Sequence, residues 1–418
     1  MRRMPADRGG CSFVGRPVGD RAGHGELVGV AVGETPPRDQ TLLYLVTEDW
    51  YFASHRLTLA SRAVRAGFRV LVACRVRDHA DAIRAVGCEV IPFTISRSGL
   101  NPLREAATLW RLRRLYQNLR PSLVHHVALK PVLYGSLAAR ATGVPRVVNA
   151  LAGLGHLSTS TTFKARVLRP LLELALRQVL GHEGTWIIVQ NPDDRRLLIE
   201  RRIARADRTL LLRGVGVDLL RFHPAPEPTG PPIVLLPSRM LWAKGIGTFV
   251  EAANLIRRQG IRARFVVAGR LDPDNPTAIL ETQLRAWEAE GSVEWWGHQE
   301  RMEEVLRTSA IVCLPSAYGE GVPKVLLEAA ASGRPVVTTA TPGCREVVRD
   351  GENGLLVPPS DPGALADALK ALILDPALRA RFGMRGRARA EAEFSENAVI
   401  DATLHLYERL VSRSPNGE

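Results

Sequence analysis

The chain has 418 residues, 45% hydrophobic and 24% charged, a length that points to two domains and a composition that excludes a disordered chain. No apolar run approaches the roughly 20 residues of a membrane span, and five cysteines without paired short spacings exclude a zinc ribbon or a disulfide framework. The formal charge of +13 is uneven: residues 1–220 hold 33 Lys and Arg against 18 Asp and Glu, residues 221–418 hold 23 against 25, so the first half is expected to meet something anionic.

The cysteines suit a reducing cytoplasm, and Arg2 and Arg3 precede no apolar stretch, so no secretory or twin-arginine signal is expected. Residues 1–39, rich in Gly, Arg and Pro without periodicity, read as a disordered leader or as the product of a mis-assigned start codon. From Thr41 short apolar runs alternate with helical periodicity. TLLYLV (41–46) is followed by a helix near 55–66, RVLVAC (69–74) by a helix near 78–86, and further strands read at EVIPF (89–93), SLVHHV (122–127), RVVNAL (146–151) and WIIVQN (186–191). This is the signature of a parallel sheet covered on both faces.

The Pro-rich PAPEPTGPP (224–232) reads as a linker. A second series follows at IVLLPS (233–238), RFVVAG (264–269), SVEWWG (292–297), IVCLPS (311–316), PVVTT (335–339) and GLLVP (354–358). The expected architecture is α/β: two doubly wound, Rossmann-like domains over 40–222 and 223–394, with a last helix at 395–412 packing back on the first. Such sheets bind ligands beyond the carboxyl ends of their strands, so two facing domains place substrates in the cleft between them.

The segment YGEGVPKVLLEAAASGRP (318–335) predicts a helix from about Pro323 to Ala331 that stops at Gly333. Its free N–H groups and partial positive charge make its start, at Gly321 and Val322, a seat for a diphosphate. Glu320 lies just before that end and Glu328 about 12 Å further on, at a rise of about 1.5 Å per residue. A nucleotide sugar lying along the helix meets Glu320 with its sugar hydroxyls and Glu328 with its ribose. SRMLWAKG (238–245) brings Arg239 and Lys244 out at the edge of the second sheet, two fixed cations suited to stabilising a departing diphosphate. No Asp-x-Asp pair is placed to bind a metal in that role. Singly, each of these residues is a solvated charge; jointly, on the right loop edges, they form a site.

These residues resemble the retaining glycosyltransferases of family 4, which have the GT-B fold. The resemblance runs from about Thr41 to Leu410 and is strongest over 233–358, including TTATPGCREVVRDGENGLLVPP (338–359). It implies that Arg239 and Lys244 contact the donor diphosphate, that Glu320 and Glu328 contact sugar and ribose, and that the donor is a uridine diphosphate sugar, with no separate cofactor. In TEDWYFASHR (47–56), Asp49, Trp50 and Tyr51 stand where many relatives carry a Gly-Gly pair, and His55 falls near the expected helix start. VHHVALKPVLYGSLAAR (124–140) puts His125 and His126 at a strand end and Lys130 just beyond, where relatives have His-x-His; side-chain alternation lets one histidine face the cleft, here taken as His126.

The wording of 47–56, 124–140 and NALAGLGHLS (149–158) is similar to the subgroup that builds bacterial surface polysaccharides and oligosaccharides on undecaprenyl diphosphate. The implied acceptor is a lipid-linked saccharide. Two basic amphipathic stretches, 103–120 and 163–180, mix Leu or aromatic residues with Arg as a helix on an anionic bilayer does, although an ordinary helix with its stripe in the core has the same pattern. The charge of the first half favours peripheral attachment to the inner face of the cell membrane. Within the same architecture a soluble acceptor or a nucleotide-sugar epimerase is the alternative. A nucleic-acid binder needs a contiguous basic face with interleaved aromatics, and the Arg residues are instead scattered, so no nucleic acid is expected.

Overall fold

The computed structural model describes residues 40–96, 101–154 and 163–412, so the expectations for the 1–39 leader and for 155–158 lie outside it. The first sheet consists of β1 (Thr41–Glu48), β2 (Arg69–Arg75), β3 (Glu89–Pro92), β4 (Leu123–Val127), β5 (Val147–Leu151), β6 (Thr185–Val189) and β7 (Thr209–Leu211), in the order β3-β2-β1-β4-β5-β6-β7. The second consists of β8 (Ile233–Pro237), β9 (Arg264–Ala268), β10 (Glu294–Trp295), β11 (Ile311–Leu314), β12 (Val336–Thr339) and β13 (Gly354–Val357), in the order β10-β9-β8-β11-β12-β13. Neighbouring strands run parallel in both. The strand order reverses between β1 and β4 and between β8 and β11, and loops leaving such switch points diverge and open a crevice. The Val-, Ile- and Leu-rich strands are buried on both faces, every residue of β4 and β8 being buried. Only the three-residue edge strand β7 has no counterpart among the expected strands.

The helix expected near 55–66 is α2 (Leu57–Arg65), and a further helix, α1 (Asp49–His55), precedes it directly after β1. The cause is Asp49, fully buried, whose carboxylate accepts from the N–H groups of Trp50 (2.7 Å), Arg77 (2.6 Å) and His79 (3.0 Å). A carboxylate satisfied in this way starts a helix as soon as β1 ends.

The last helix, Glu396–Ser412, packs against the first sheet: Ile400, Leu404, Tyr407 and Leu410 share one core with Leu42, Tyr44, Val70 and Val148. The Tyr407 hydroxyl lies 3.0 Å from that of Tyr44 and is also bonded to Nδ1 of His125. The chain therefore crosses between the sheets twice, and the crossings are joined. Val217 N–H donates to Phe394 O (2.9 Å), Glu396 N–H donates to Val217 O (3.0 Å), and Gly216, at φ +75°, has no room for a Cβ beside Glu396. Val217 and Phe222 already pack in the core of the second sheet, ahead of the Pro-rich stretch. That stretch is anchored: Glu227 takes two bonds from Arg379 (2.9 and 2.5 Å), and Pro226 O accepts from Arg334 (3.3 Å).

Tyr407→Phe removes a hydroxyl that serves both Tyr44 and His125 in a dry core. Leaving buried polar groups unmatched costs about 1–3 kcal/mol, so the thermal midpoint should fall by several degrees; an unchanged midpoint would show that the network does not hold the last helix.

Candidate active site

Both switch points face the same cleft. After β8, Ser238 and Arg239 lead into a single 3₁₀ turn, Trp242–Lys244, and then α8 (Ile246–Arg258). Gly245, at φ +75°, lies so close to Pro315 O that a Cβ would sit 1.9 Å from it, which presses this loop against the end of β11. The helix after β11, α11 in chain order, runs Lys324–Ala331 with Pro323 as its cap residue, one position later than expected. Lys244 Nζ donates to the carboxylate of Glu320, whose other oxygen accepts from the Ser316 hydroxyl. Arg239 donates to Asp272 at 2.6 Å. Glu328 is buried one turn into α11; burial pushes its carboxyl above the usual range, and the Lys324 ammonium 3.3 Å away pulls it back.

The first domain closes over this edge. Gly321 N–H donates to Ala152 O (3.3 Å) and Val322 N–H to Gln190 Oε1 (3.0 Å), while Lys324 Nζ donates to Ser54 O (2.9 Å). The N–H groups expected to seat a diphosphate are thus directed at the ends of β5 and β6. Glycine permits the approach: a Cβ on Gly153, at φ +98°, would stand 2.3 Å from Gly321 N. At the other end of the cleft Arg77 and Arg75 reach Asp274 (2.5 and 3.4 Å) and hold buried Glu48 from the first-domain side (3.3 and 3.6 Å). Trp50 lies under the guanidinium groups of Arg239 (5.7 Å) and Arg270 (5.6 Å).

The acceptor-side histidines are placed differently from expectation. His126 does not line the cleft: it is fully buried against α5 (Leu129–Thr142), where a Cβ on Gly135 would stand 2.5 Å from its ring. Its Nδ1 bonds Asn149 Oδ1 (2.8 Å) and its Nε2 bonds the Tyr116 hydroxyl (2.9 Å). An amide oxygen only accepts, so Nδ1 carries the proton and Nε2 accepts; burial pushes the ring down to about 4 and it stays neutral. His125 points to the opposite face, into Tyr407, and is equally buried. Strand alternation separates the two histidines, but a central parallel strand is covered on both faces, so neither reaches the cleft.

His55 ends α1 rather than starting a helix. Its ring stacks on Tyr51 (4.2 Å) and bonds Tyr51 O (3.2 Å), and burial, with Lys324 and Arg56 nearby, pushes it down to about 3. It sits next to Ser54, which accepts from Lys324, and so remains beside the cleft as a neutral ring. Lys130, in the first turn of α5, forms an ion pair with Glu105 (2.9 Å) on α4 (Pro102–Leu119).

The structure adds Ser316, Gln190, Lys324, Trp50, Arg270 and Asp272 to the site. Gln190 follows directly on β6 and Ser316 two residues after β11, a signal visible in the sequence; Arg270 and Asp272 stand just beyond β9 and gain meaning only from what faces them. Asp272 and Asp274 form an Asp-x-Asp, but the first bonds Arg239 and the second pairs with Arg75 and Arg77. Among the described residues no group of three or more His, Cys, Asp or Glu is arranged to hold a metal.

Comparison with known proteins covers both halves. Residues 221–389 match the family described as Glycosyl transferases group 1, and residues 41–181 match Glycosyl transferase 4-like. The N,N'-diacetylbacillosaminyl-diphospho-undecaprenol alpha-1,3-N-acetylgalactosaminyltransferase of Campylobacter jejuni is 26% identical over 351 residues, spanning 80% of this chain and 89% of that protein. Among solved structures, sucrose-phosphate synthase from Thermosynechococcus elongatus superposes with a TM-score of 0.75 at 22% identity, over 90% of this chain and 100% of that one. Anabaena HepE in complex with UDP-glucose does so with a TM-score of 0.69 at 18% identity, over 88% and 99%. The fold is that of the GT-B enzymes.

Proposed function

We propose that this chain, whose halves are a glycosyl transferase 4-like domain and a glycosyl transferases group 1 domain in a GT-B fold, moves a sugar from a nucleoside diphosphate sugar to a lipid-diphosphate-linked saccharide. The transfer proceeds with retention and without a metal ion. The observation that carries this reading is the convergence of Arg239, Lys244, Glu320 and Glu328 on one sheet edge facing the first domain. In the reaction the bond from the anomeric carbon to the diphosphate oxygen breaks while the acceptor hydroxyl oxygen bonds to that carbon from the same face and passes its proton to the departing diphosphate oxygen. Arg239 and Lys244 take up the charge that develops on the departing diphosphate. Glu320, held by Ser316 and Lys244, meets the sugar next to the breaking bond, and Glu328 holds the ribose.

The donor class is a uridine diphosphate hexose or N-acetylhexosamine, in keeping with the UDP-glucose bound by the structurally similar HepE. The acceptor follows from the Campylobacter jejuni relative, whose name gives a diphospho-undecaprenol acceptor, and from the surface of the first domain. The product belongs to cell-surface polysaccharide synthesis. No helix among the described residues is long and apolar enough to cross a membrane, so attachment is by a face. On α4 the inner residues Leu112 and Tyr116 are buried, while Leu103 (82% exposed) and Trp110 (55% exposed) point outward, with Arg114 over the Trp110 ring at 4.1 Å. The Glu105–Lys130 pair joins the first turn of α4 to the first turn of α5, just after β4. An acceptor on the inner leaflet would therefore present its sugar close to the cleft.

Glu320→Gln should lower turnover itself, because its contacts strengthen as charge develops at the anomeric carbon. Glu328→Gln should chiefly raise the Michaelis constant for donor, about tenfold for a lost charge-assisted bond of about 1.5 kcal/mol. Steady-state kinetics separate the two, and equal loss of affinity alone in both variants would refute the placement of the donor along α11.

Replacing Arg111, Arg113 and Arg114 together by Glu should release the protein from anionic vesicles, since each basic residue near such a surface contributes about 1 kcal/mol. Undiminished co-sedimentation would remove α4 as the contact.

A further inference from the structure

A pair of guanidinium groups occupies the corner of the cleft between β1, β2, β8 and β9. Pro237 of β8 and Ala268 of β9 are register partners, and the chains beyond them stay together: a Cβ on Gly269 would stand 1.7 Å from Ser238 O, and Met240 N–H donates to Arg270 O at 3.0 Å. Arg239 and Arg270 thus emerge side by side on the sheet edge that carries the diphosphate in the proposed function. Both lie over one indole of the opposite domain, Trp50.

Their charges are balanced unequally. Arg239 has Asp272, and the neighbouring Arg75 and Arg77 have Glu48 and Asp274. Arg270 has no carboxylate within ion-pairing distance among the described residues, although it is half-buried. The excess positive field is felt nearby: His298 is pushed below its usual range, by burial first and by Arg270 next. A half-buried cation without a counter-ion is costly unless an anion completes it. An indole face attracts a cation but carries no net charge, so it orients the guanidinium without neutralising it. Trp50 itself is held firmly, because buried Asp49 fixes its N–H together with those of Arg77 and His79.

We propose that Arg270 is a further residue binding the donor diphosphate, and that Trp50 is a positioning residue that sets Arg239 and Arg270 in the planes from which they act on it. The inference rests on the proposed function.

The test is calorimetry on the full chain with UDP, GDP, ADP and dTDP, with inorganic pyrophosphate as a base-free competitor. Arg270→Gln should weaken the best-bound nucleoside diphosphate and pyrophosphate alike, each about tenfold. Trp50→Leu should weaken both by about two- to fivefold, and Trp50→Phe, which keeps an aromatic face, by less. Arg270→Gln that binds pyrophosphate as the unaltered chain does would overturn the inference alone, as would equal losses in the two Trp50 variants. An unaltered chain that binds none of the four nucleoside diphosphates would overturn the proposed function and this inference with it.

Discussion

Three of the four half-buried cations along the cleft edge of the second domain already have a carboxylate of that domain, Arg239 with Asp272, Lys244 with Glu320 and Lys324 with Glu328, and the fourth, Arg270, has the Trp50 ring. Gathering partly buried charges of one sign at a cleft is costly without such partners, because desolvation penalises each charged form. The pairing fixes these cations at the sheet edge, where in the proposed function a diphosphate would share Lys244 with Glu320.

The second constraint is how closely the domains approach. Peptide-to-peptide contact at Gly153 and Gly321, the Lys324 bond to Ser54 O and the Trp50 stack bring first-domain groups against the donor edge. The two chain crossings are hydrogen-bonded to one another at Val217, Phe394 and Glu396, and the last helix is fastened to the first sheet through Tyr407. The two crossings and the last helix thus join the domains at one place, and polar bonds such as Lys324 to Ser54 O and Arg77 to Asp274 join them across the cleft.

The fold was legible in the sequence, because a parallel sheet buried on both faces writes itself as short apolar runs, and so was the gathering of Arg239, Lys244 and Glu320 on the two loops that leave the second switch point. What was illegible depends on contacts between distant segments. His126 sits at a strand end as expected, yet Tyr116, Asn149 and Gly135, from three other segments, enclose it. Asp49 starts α1 through bonds to residues 28 and 30 positions away. Arg270 looks like any surface arginine until Trp50 of the other domain covers it.

The central claim is that side-chain cations of the protein, rather than a metal, carry the departing diphosphate. The most direct test measures nucleoside diphosphate release with a lipid-linked saccharide acceptor in excess chelator, for the unaltered chain and for Lys244→Met. The account predicts turnover that survives the chelator and falls by about a hundredfold or more in the variant, the loss of roughly 2.7 kcal/mol typical of one preorganised charge-stabilising group. Turnover abolished by the chelator, restored by magnesium or manganese and indifferent to Lys244→Met would contradict it, and would turn attention to Asp272 and Asp274 as metal ligands.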